Sequence, residues 1–182
     1  RQGIVGLNQD DDVTSGIVLM RKGEIPGQVL EAVKAKVEQM LELVERARAR
    51  ALEQVSLLDQ AIAFFEENVD YHERDMALAR ALMRQLSYVD SNDQRALVSQ
   101  LLTRLMGHLA MLIDAAKTRG EVAAATPLTA TARTLFAIYF LHLNGLLNGY
   151  LDRTQFDTAL ATDFALVLAG LAPARAARST IR

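Results

Sequence analysis

From Pro26 onward, apolar residues recur three and four positions apart along the chain. The first such stretch carries Val33, Val37, Met40 and Val44 at this spacing, which is the spacing of one face of an α-helix. Pro26 suits the first turn of that helix, because the N–H group that proline lacks has no partner there. The period therefore favours an all-α protein, and a hydrophobic share of 51% is enough to build its core.

Capping signals divide this region into separate helices. Residues whose side-chain oxygen can accept a hydrogen bond from the first turn of a helix occur at Ser56, Asp70, Ser91 and Thr126, and either Asp152 or Thr154 can start the last helix in this way. The predicted fold class is all-α, with a bundle of about six helices behind an irregular N-terminal segment.

The first 24 residues have a different composition. Asp10, Asp11 and Asp12 form an acidic cluster, and residues 16–20 combine β-branched side chains with flanking glycines. This composition predicts a strand over 16–20. No second strand is predicted to pair with it, and a lone strand is not a stable element.

Composition excludes several functional classes. The chain has no cysteine, which excludes disulfides, thiolate zinc sites, iron–sulfur clusters and cysteine nucleophiles. A net charge of -2 argues against a wholly basic nucleic-acid-binding body. The uncharged run 134–151 is about the minimum length for a bilayer span. Because it contains His142 and two asparagines, we interpret it as a buried helix, and we expect no membrane association and no secretory signal peptide.

Two stretches carry a resemblance to a known family. Residues 112–122 read LIDAAKTRGEV and residues 131–140 read TARTLFAIYF, with Gly145 and Leu146 following. Over residues 41–172 this pattern resembles the C-terminal ligand-binding and dimerisation domain of TetR-family transcriptional regulators. In that family a long helix ends with a basic residue, Gly and Glu, and two apolar helices follow. The resemblance implies a cytoplasmic repressor that homodimerises, binds a small hydrophobic effector and needs no cofactor.

The same family implies a DNA-binding helix-turn-helix ahead of this domain. Residues 1–40 contain no recognisable one, and the acidic residues Asp10–Asp12 would be repelled by phosphates. We therefore expect DNA binding only if a helix-turn-helix head exists outside what this sequence shows.

Residues 1–40 resemble a different family. Segments 3–6, 10–13, 16–24 and 29–37 are similar to a periplasmic strand–turn–helix piece of heavy-metal efflux pumps of the resistance–nodulation–division type. The resemblance covers a fragment without transmembrane helices or proton-relay carboxylates, so it implies no transport. The predicted organisation is an atypical segment at 1–40, a TetR-like domain at 41–172 and a flexible tail at 173–182.

A ligand pocket in a helical bundle needs apolar walls and a few inward polar groups. Residues at core-facing spacing that could line one are Phe64, Phe65, Met83, His108, Met111, Phe136 and Tyr139. The same spacing fits a dry, filled core equally well. No nucleophile, paired carboxylate or phosphate loop points to catalysis, and the three histidines lie on different predicted helices, so we expect no enzyme and no metal site.

The last two predicted helices carry few charges, and a monomer would leave a large apolar patch exposed. Pairing with a second copy as a four-helix bundle would cover it. The predicted interface residues are Leu143, Leu146, Leu147, Tyr150, Phe156, Leu160, Phe164, Val167 and Leu168. Two alternatives remain: a dimeric structural module that senses no ligand, and a fusion fragment derived from an efflux pump.

Overall fold

The structure, a computed structural model of the 182-residue chain, describes residues 26–77, 79–80, 83 and 92–173. In these ranges five helices have described bounds and no strand occurs, so the predicted all-α class is confirmed. The helices are α1 (Pro26–Leu52), α2 (Leu57–Glu73), α3 (Asn92–Arg119), α4 (Leu128–Leu147) and α5 (Arg153–Gly170). The predicted strand at 16–20, the acidic cluster Asp10–Asp12 and most of the predicted tail lie outside the described residues.

Helix α1 is continuous from Pro26 to Leu52 and therefore crosses residue 40, where the sequence predicts a boundary. Its inner face carries Leu43, Val44 and Ala47, which are almost fully buried. Their spacing of one, three and four positions places them on the same side of the helix. The second half of α1 is thus an integral part of the helical body.

Helix α2 lies at the centre of the described bundle and packs against each of the other four helices. Ser56 caps it as predicted, accepting a hydrogen bond from the N–H of Asp59 at 3.1 Å. Phe64 and Phe65 on its inner faces have no exposed surface. A helix with buried residues on several sides is typical of a core element.

The predicted cap at Asp70 is wrong. Helix α2 passes through Asp70 and ends at Glu73, and the Asp70 carboxylate instead pairs with Arg50 at 3.4 Å and Arg153 at 3.1 Å. Residues 76, 77, 79, 80 and 83 are helical again after a turn. The N–H of Ala79 donates to the carbonyl of Asp75 at 2.9 Å.

The connection after α3 is a glycine-terminated Schellman motif. Gly120 has φ 77°; its N–H donates to Lys117 at 3.0 Å, and the next N–H, that of Glu121, donates to Ala116 at 3.0 Å. A residue with a side chain is strained at such a positive φ. The predicted helix end at Gly120 is confirmed, and this geometry fixes where Glu121 points.

Helices α4 and α5 begin with different caps. Pro127 occupies the N-cap position of α4 and offers no side-chain hydrogen bond, so the predicted cap at Thr126 is wrong; its buried hydroxyl has no partner among the described residues. Asp152 caps α5 as one of the two predicted alternatives, and Gln155 completes a capping box. No described helix is long and apolar enough to span a membrane.

Candidate functional site

Three of the predicted pocket residues form a stacked aromatic core. The Phe65 ring lies 4.3 Å from that of Tyr139 in a stacked arrangement and 5.3 Å from that of Phe64, edge-on. Phe164 joins them at 5.7 Å. All four side chains are buried, and this burial raises the pKa of the Tyr139 phenol well above its usual range. These rings pack against one another and fill the space between α2, α4 and α5.

Two further predicted pocket residues extend this core. Phe136 is half-buried, with its ring 6.3 Å from that of Tyr139. Met83 is buried against the same cluster. The remaining two, His108 and Met111, lie elsewhere, on the side of α3 that faces α1. The predicted pocket set therefore divides between a packed core and a surface groove.

The groove between α1 and α3 has a volume of about 830 Å³. Its walls are one apolar residue of α1 and a stripe along α3, which together comprise Leu41, Ala96, Ser99, Gln100, Thr103, Arg104, Gly107, His108 and Met111. Met111 is 57% exposed, an unusual fraction for a large apolar side chain. The aromatic core does not line this groove.

A cluster of ionisable residues lies beside the groove. The Glu45 carboxylate on α1 contacts Arg104 at 3.2 Å, His108 at 3.1 Å and Arg48 at 3.6 Å. The pKa of Glu45 lies below its ordinary value, mainly because of the hydrogen bond with His108. His108 also has a buried Nδ1 atom with no hydrogen-bond partner among the described residues. The cluster joins α1 to α3 by electrostatic contacts.

Sequence reasoning missed Glu45, Arg104 and Gly107 as members of this region. Gly107 lies in the middle of α3, a helix of 28 residues. A Cβ atom added there would meet no atom within 4 Å, so close packing does not require glycine. The signal available in the sequence was the run of small or polar residues at 96, 99, 100, 103 and 107, which interrupts the apolar period on one side of α3.

Most of the predicted interface residues face the interior of the chain. Six of the nine have less than a tenth of their surface exposed and present almost no surface to a second copy: Leu143, Leu146, Leu147, Phe156, Leu160 and Phe164. Val167 and Leu168 are half-buried, and Tyr150 is 82% exposed.

The outward surface of α4 and α5 is made of other residues. Leu141 and Leu166 are 67% and 73% exposed, and Leu141 borders a shallow depression of about 540 Å³ along α4. Thr158 and Thr162 turn their hydroxyls back to carbonyls of their own helix at 2.8 and 2.7 Å. This surface, called the α4–α5 face below, therefore carries few neutral polar groups that need water.

Charges on these two helices are largely paired within the chain. His142 and Asp163 are joined at 2.8 Å, and Arg153 pairs with Asp157 at 2.9 Å. Arg133 is exposed and forms no ion pair with any residue that the structure describes. Arg133 is thus the arginine of these two helices that has no ion-pair partner among the described residues, and covering the α4–α5 face would have to desolvate its charge.

The histidines do not converge. His72, His108 and His142 lie on α2, α3 and α4, and no three potential ligands among the described residues lie close enough together to hold a metal ion. Two of the three contact a carboxylate on a neighbouring helix. Among the described residues, His108 and His142 thus connect neighbouring helices.

Comparison with known proteins gives one informative result. No protein-family model matches the chain, and no curated protein matches it either. Among solved structures, a candidate TetR-family transcriptional regulator from Syntrophomonas wolfei superimposes with a TM-score of 0.65, covering 80% of this chain and 75% of that one.

The chain has a TetR-like fold. Sequence identity to the Syntrophomonas protein is 14%, so the likeness concerns the fold alone. The resemblance of residues 1–40 to an efflux-pump fragment, and the division of the chain at residue 40, stay predictions.

Proposed function

We propose that this chain is the effector-binding and dimerisation part of a TetR-like transcriptional regulator, acting in the cytoplasm as a homodimer without enzymatic activity. The observation that carries the proposal is the TetR-like fold of the helical body, with a TM-score of 0.65. A fold alone supports many functions, so the argument also depends on the surfaces that this particular chain presents.

The α4–α5 face supports the dimer. It exposes Leu141 and Leu166, carries threonines with internally satisfied hydroxyls and has one unpaired charge at Arg133. A second copy related by a twofold axis would bring the same face onto itself. Tyr150, the most exposed of the predicted interface residues, lies in the turn between α4 and α5 and would form the rim.

The groove between α1 and α3 supports ligand sensing by a small hydrophobic effector. In this proposal an effector that changes how Leu41 and Glu45 pack against α3 changes the position of α1. Because α1 leads toward the N-terminus, its movement would alter the separation of any DNA-binding heads in a dimer. DNA binding itself needs a helix-turn-helix head, and we expect residues 1–40 not to supply one.

The oligomeric state tests the dimer. Size-exclusion chromatography with light scattering at micromolar concentration should give twice the chain mass of 20.0 kDa. Leu141→Arg places a charge on the α4–α5 face and should yield a monomer. Val55→Arg is the matched control, because Val55 is 86% exposed between α1 and α2. A monomeric wild type would refute the dimer.

Thermal shifts test ligand sensing. A specific hydrophobic ligand raises the melting temperature further as its concentration increases, because it binds the folded state alone. The filled aromatic core around Phe65 and Tyr139 favours one alternative, a dimeric module without a sensor. A dimer that no hydrophobic compound stabilises would support that alternative.

A further inference from the structure

We propose that the groove between α1 and α3 binds an amphipathic anion, with the anionic group at Arg104 and the apolar part along Leu41, Gly107 and Met111. This inference rests on the proposed effector-binding function and specifies the site and the chemical class of its ligand. The simplest ligand of this class is a carboxylate with an aliphatic chain.

The size and lining of the groove suit such a ligand. Its volume of about 830 Å³ falls within the range of about 300–1,000 Å³ that small-molecule sites usually have. Met111 is more than half exposed and Leu41 is half-buried on the opposite wall. An aliphatic chain lying between them would remove apolar surface from water on both helices.

Among the described residues that line the groove, Arg104 carries the one permanent charge. Its side chain is 55% exposed, and it approaches Glu45 through Nε at 3.2 Å. The neighbouring acidic residues Glu38 and Glu42 are exposed on α1 and do not line the groove. A carboxylate is therefore the group that best complements this lining, because a guanidinium can donate two parallel hydrogen bonds to it.

Glu45 has two partners besides Arg104. Its carboxylate is held by His108 at 3.1 Å and lies 3.6 Å from Arg48. A ligand carboxylate can therefore engage the outer nitrogens of Arg104 without leaving Glu45 unpaired. The cluster would then share its cations between one internal and one bound carboxylate.

Gly107 is the second, independent feature that supports a ligand site. Glycine is a poor helix former, and a Cβ atom added at this position would have no neighbour within 4 Å. Neither helix packing nor backbone conformation therefore accounts for glycine in the middle of α3. An absent side chain does keep the floor of the groove open next to Arg104.

The test is isothermal titration of the full chain with decanoate and with decan-1-ol, both below the concentration at which they aggregate. We expect decanoate to bind at least about tenfold more tightly than the neutral alcohol. Arg104→Gln should remove this preference, whereas Arg133→Gln, an equal change of charge on α4, should leave it intact. Far-UV circular dichroism verifies that each variant is folded.

Filling the groove tests its location. Gly107→Phe should weaken decanoate binding by about tenfold or more, because the ring occupies the floor. Gly107→Ala should fold and still bind, and Ala115→Phe, on an exposed position of the same helix outside the groove, should bind like the wild type. Unchanged binding by a folded Gly107→Phe variant would overturn the site.

The remaining outcomes separate this inference from the proposed function. If neutral hydrophobic compounds bind and decanoate has no advantage, the anionic class is wrong while ligand sensing stands. If Arg104→Gln and Arg133→Gln weaken decanoate equally, binding follows net charge and the assignment to Arg104 is refuted. If no compound of either kind binds, ligand sensing and this inference fail together.

Discussion

The carboxylate of Glu121 accepts a hydrogen bond from the backbone N–H of Leu57 at 2.6 Å, although the two residues are 64 positions apart. Leu57 is the first residue of α2, and N–H groups in a first turn have no partner within their own helix. A negative charge there also complements the helix dipole. Arg119 donates to the same carboxylate. The Arg–Gly–Glu sequence at 119–121 thus ends one helix and caps another.

Glu121→Ala should lower the free energy of unfolding by about 1.5–3 kcal/mol, the usual range for a hydrogen bond to a charged group. The variant leaves the N–H of Leu57 without its acceptor and removes the partner of Arg119. Urea denaturation measures the change. Glu53→Ala, at an exposed residue just after α1, is the matched control, and an equal loss in both variants would contradict the capping role.

Replacing Gly120 and replacing Gly107 with alanine should have opposite effects on the free energy of unfolding. Gly120 has φ 77°, so Gly120→Ala should lower the free energy of unfolding by about 1–2 kcal/mol. Gly107 lies inside α3 with open space around it, so Gly107→Ala should raise it by about 0.5–1 kcal/mol. Thermal or urea unfolding of both variants measures the sign, and a loss at Gly107 would show that glycine is needed there for packing.

Local signals in the sequence predicted the helices well and some of their ends wrongly. Ser56 and Asp152 cap as predicted because their acceptors act on the next three residues. Asp70, like Asp152, is an aspartate at a predicted helix start, but its carboxylate contacts Arg50 and Arg153. Arg153 lies 83 positions further along the chain, and nothing in a local pattern indicates such a partner.

The candidate sites were harder to predict for a physical reason. Helical spacing shows which residues share a face, but it does not show what covers that face. Phe65 and His108 both sit at core-facing spacing, yet one is stacked against Tyr139 and the other lines a groove. In the last two helices, likewise, Leu143 packs within the chain while Leu141 points outward.

Arg153 connects α5 to α2 through several carboxylates. It contacts Asp70 at 3.1 Å and Asp157 at 2.9 Å, and it also pairs with Glu73. Desolvation disfavours its charge, but the hydrogen bonds to Asp157, Asp70 and Glu73 outweigh that effect and raise the pKa of Arg153 above its usual value. The three carboxylates share one guanidinium, which suits its forked geometry.

Arg153→Gln should therefore lower the free energy of unfolding by about 1–2 kcal/mol, more than a single exposed ion pair contributes, because three acidic groups lose one shared cation. Arg153→Lys should recover only part of the loss, since one ammonium cannot reach all three carboxylates in the same way. Urea titration measures both. Arg133→Gln is the control, because Arg133 has no ion-pair partner among the described residues. If Arg133→Gln lowers the free energy of unfolding as much as Arg153→Gln does, the ion-pair network is not the cause of the loss.

Glu45 should make stability depend on acidity. Its ordinary pKa is 4.5, and its partners, His108 foremost, lower the value in the folded chain. A lowered folded pKa adds stability that is present above the ordinary value and is lost as the pH falls through the folded value.

Wild type should therefore exceed Glu45→Gln in free energy of unfolding at pH 6, and this difference, called the gap here, should close by about pH 3. Because Glu45 is 41% exposed, we expect a gap below about 1 kcal/mol, which 1 M salt should narrow. Urea titrations at both pH values measure it, with Glu53→Gln as the control that should show no gap. A gap of the same size at pH 6 and pH 3 would mean that Glu45→Gln acts through packing and not through charge.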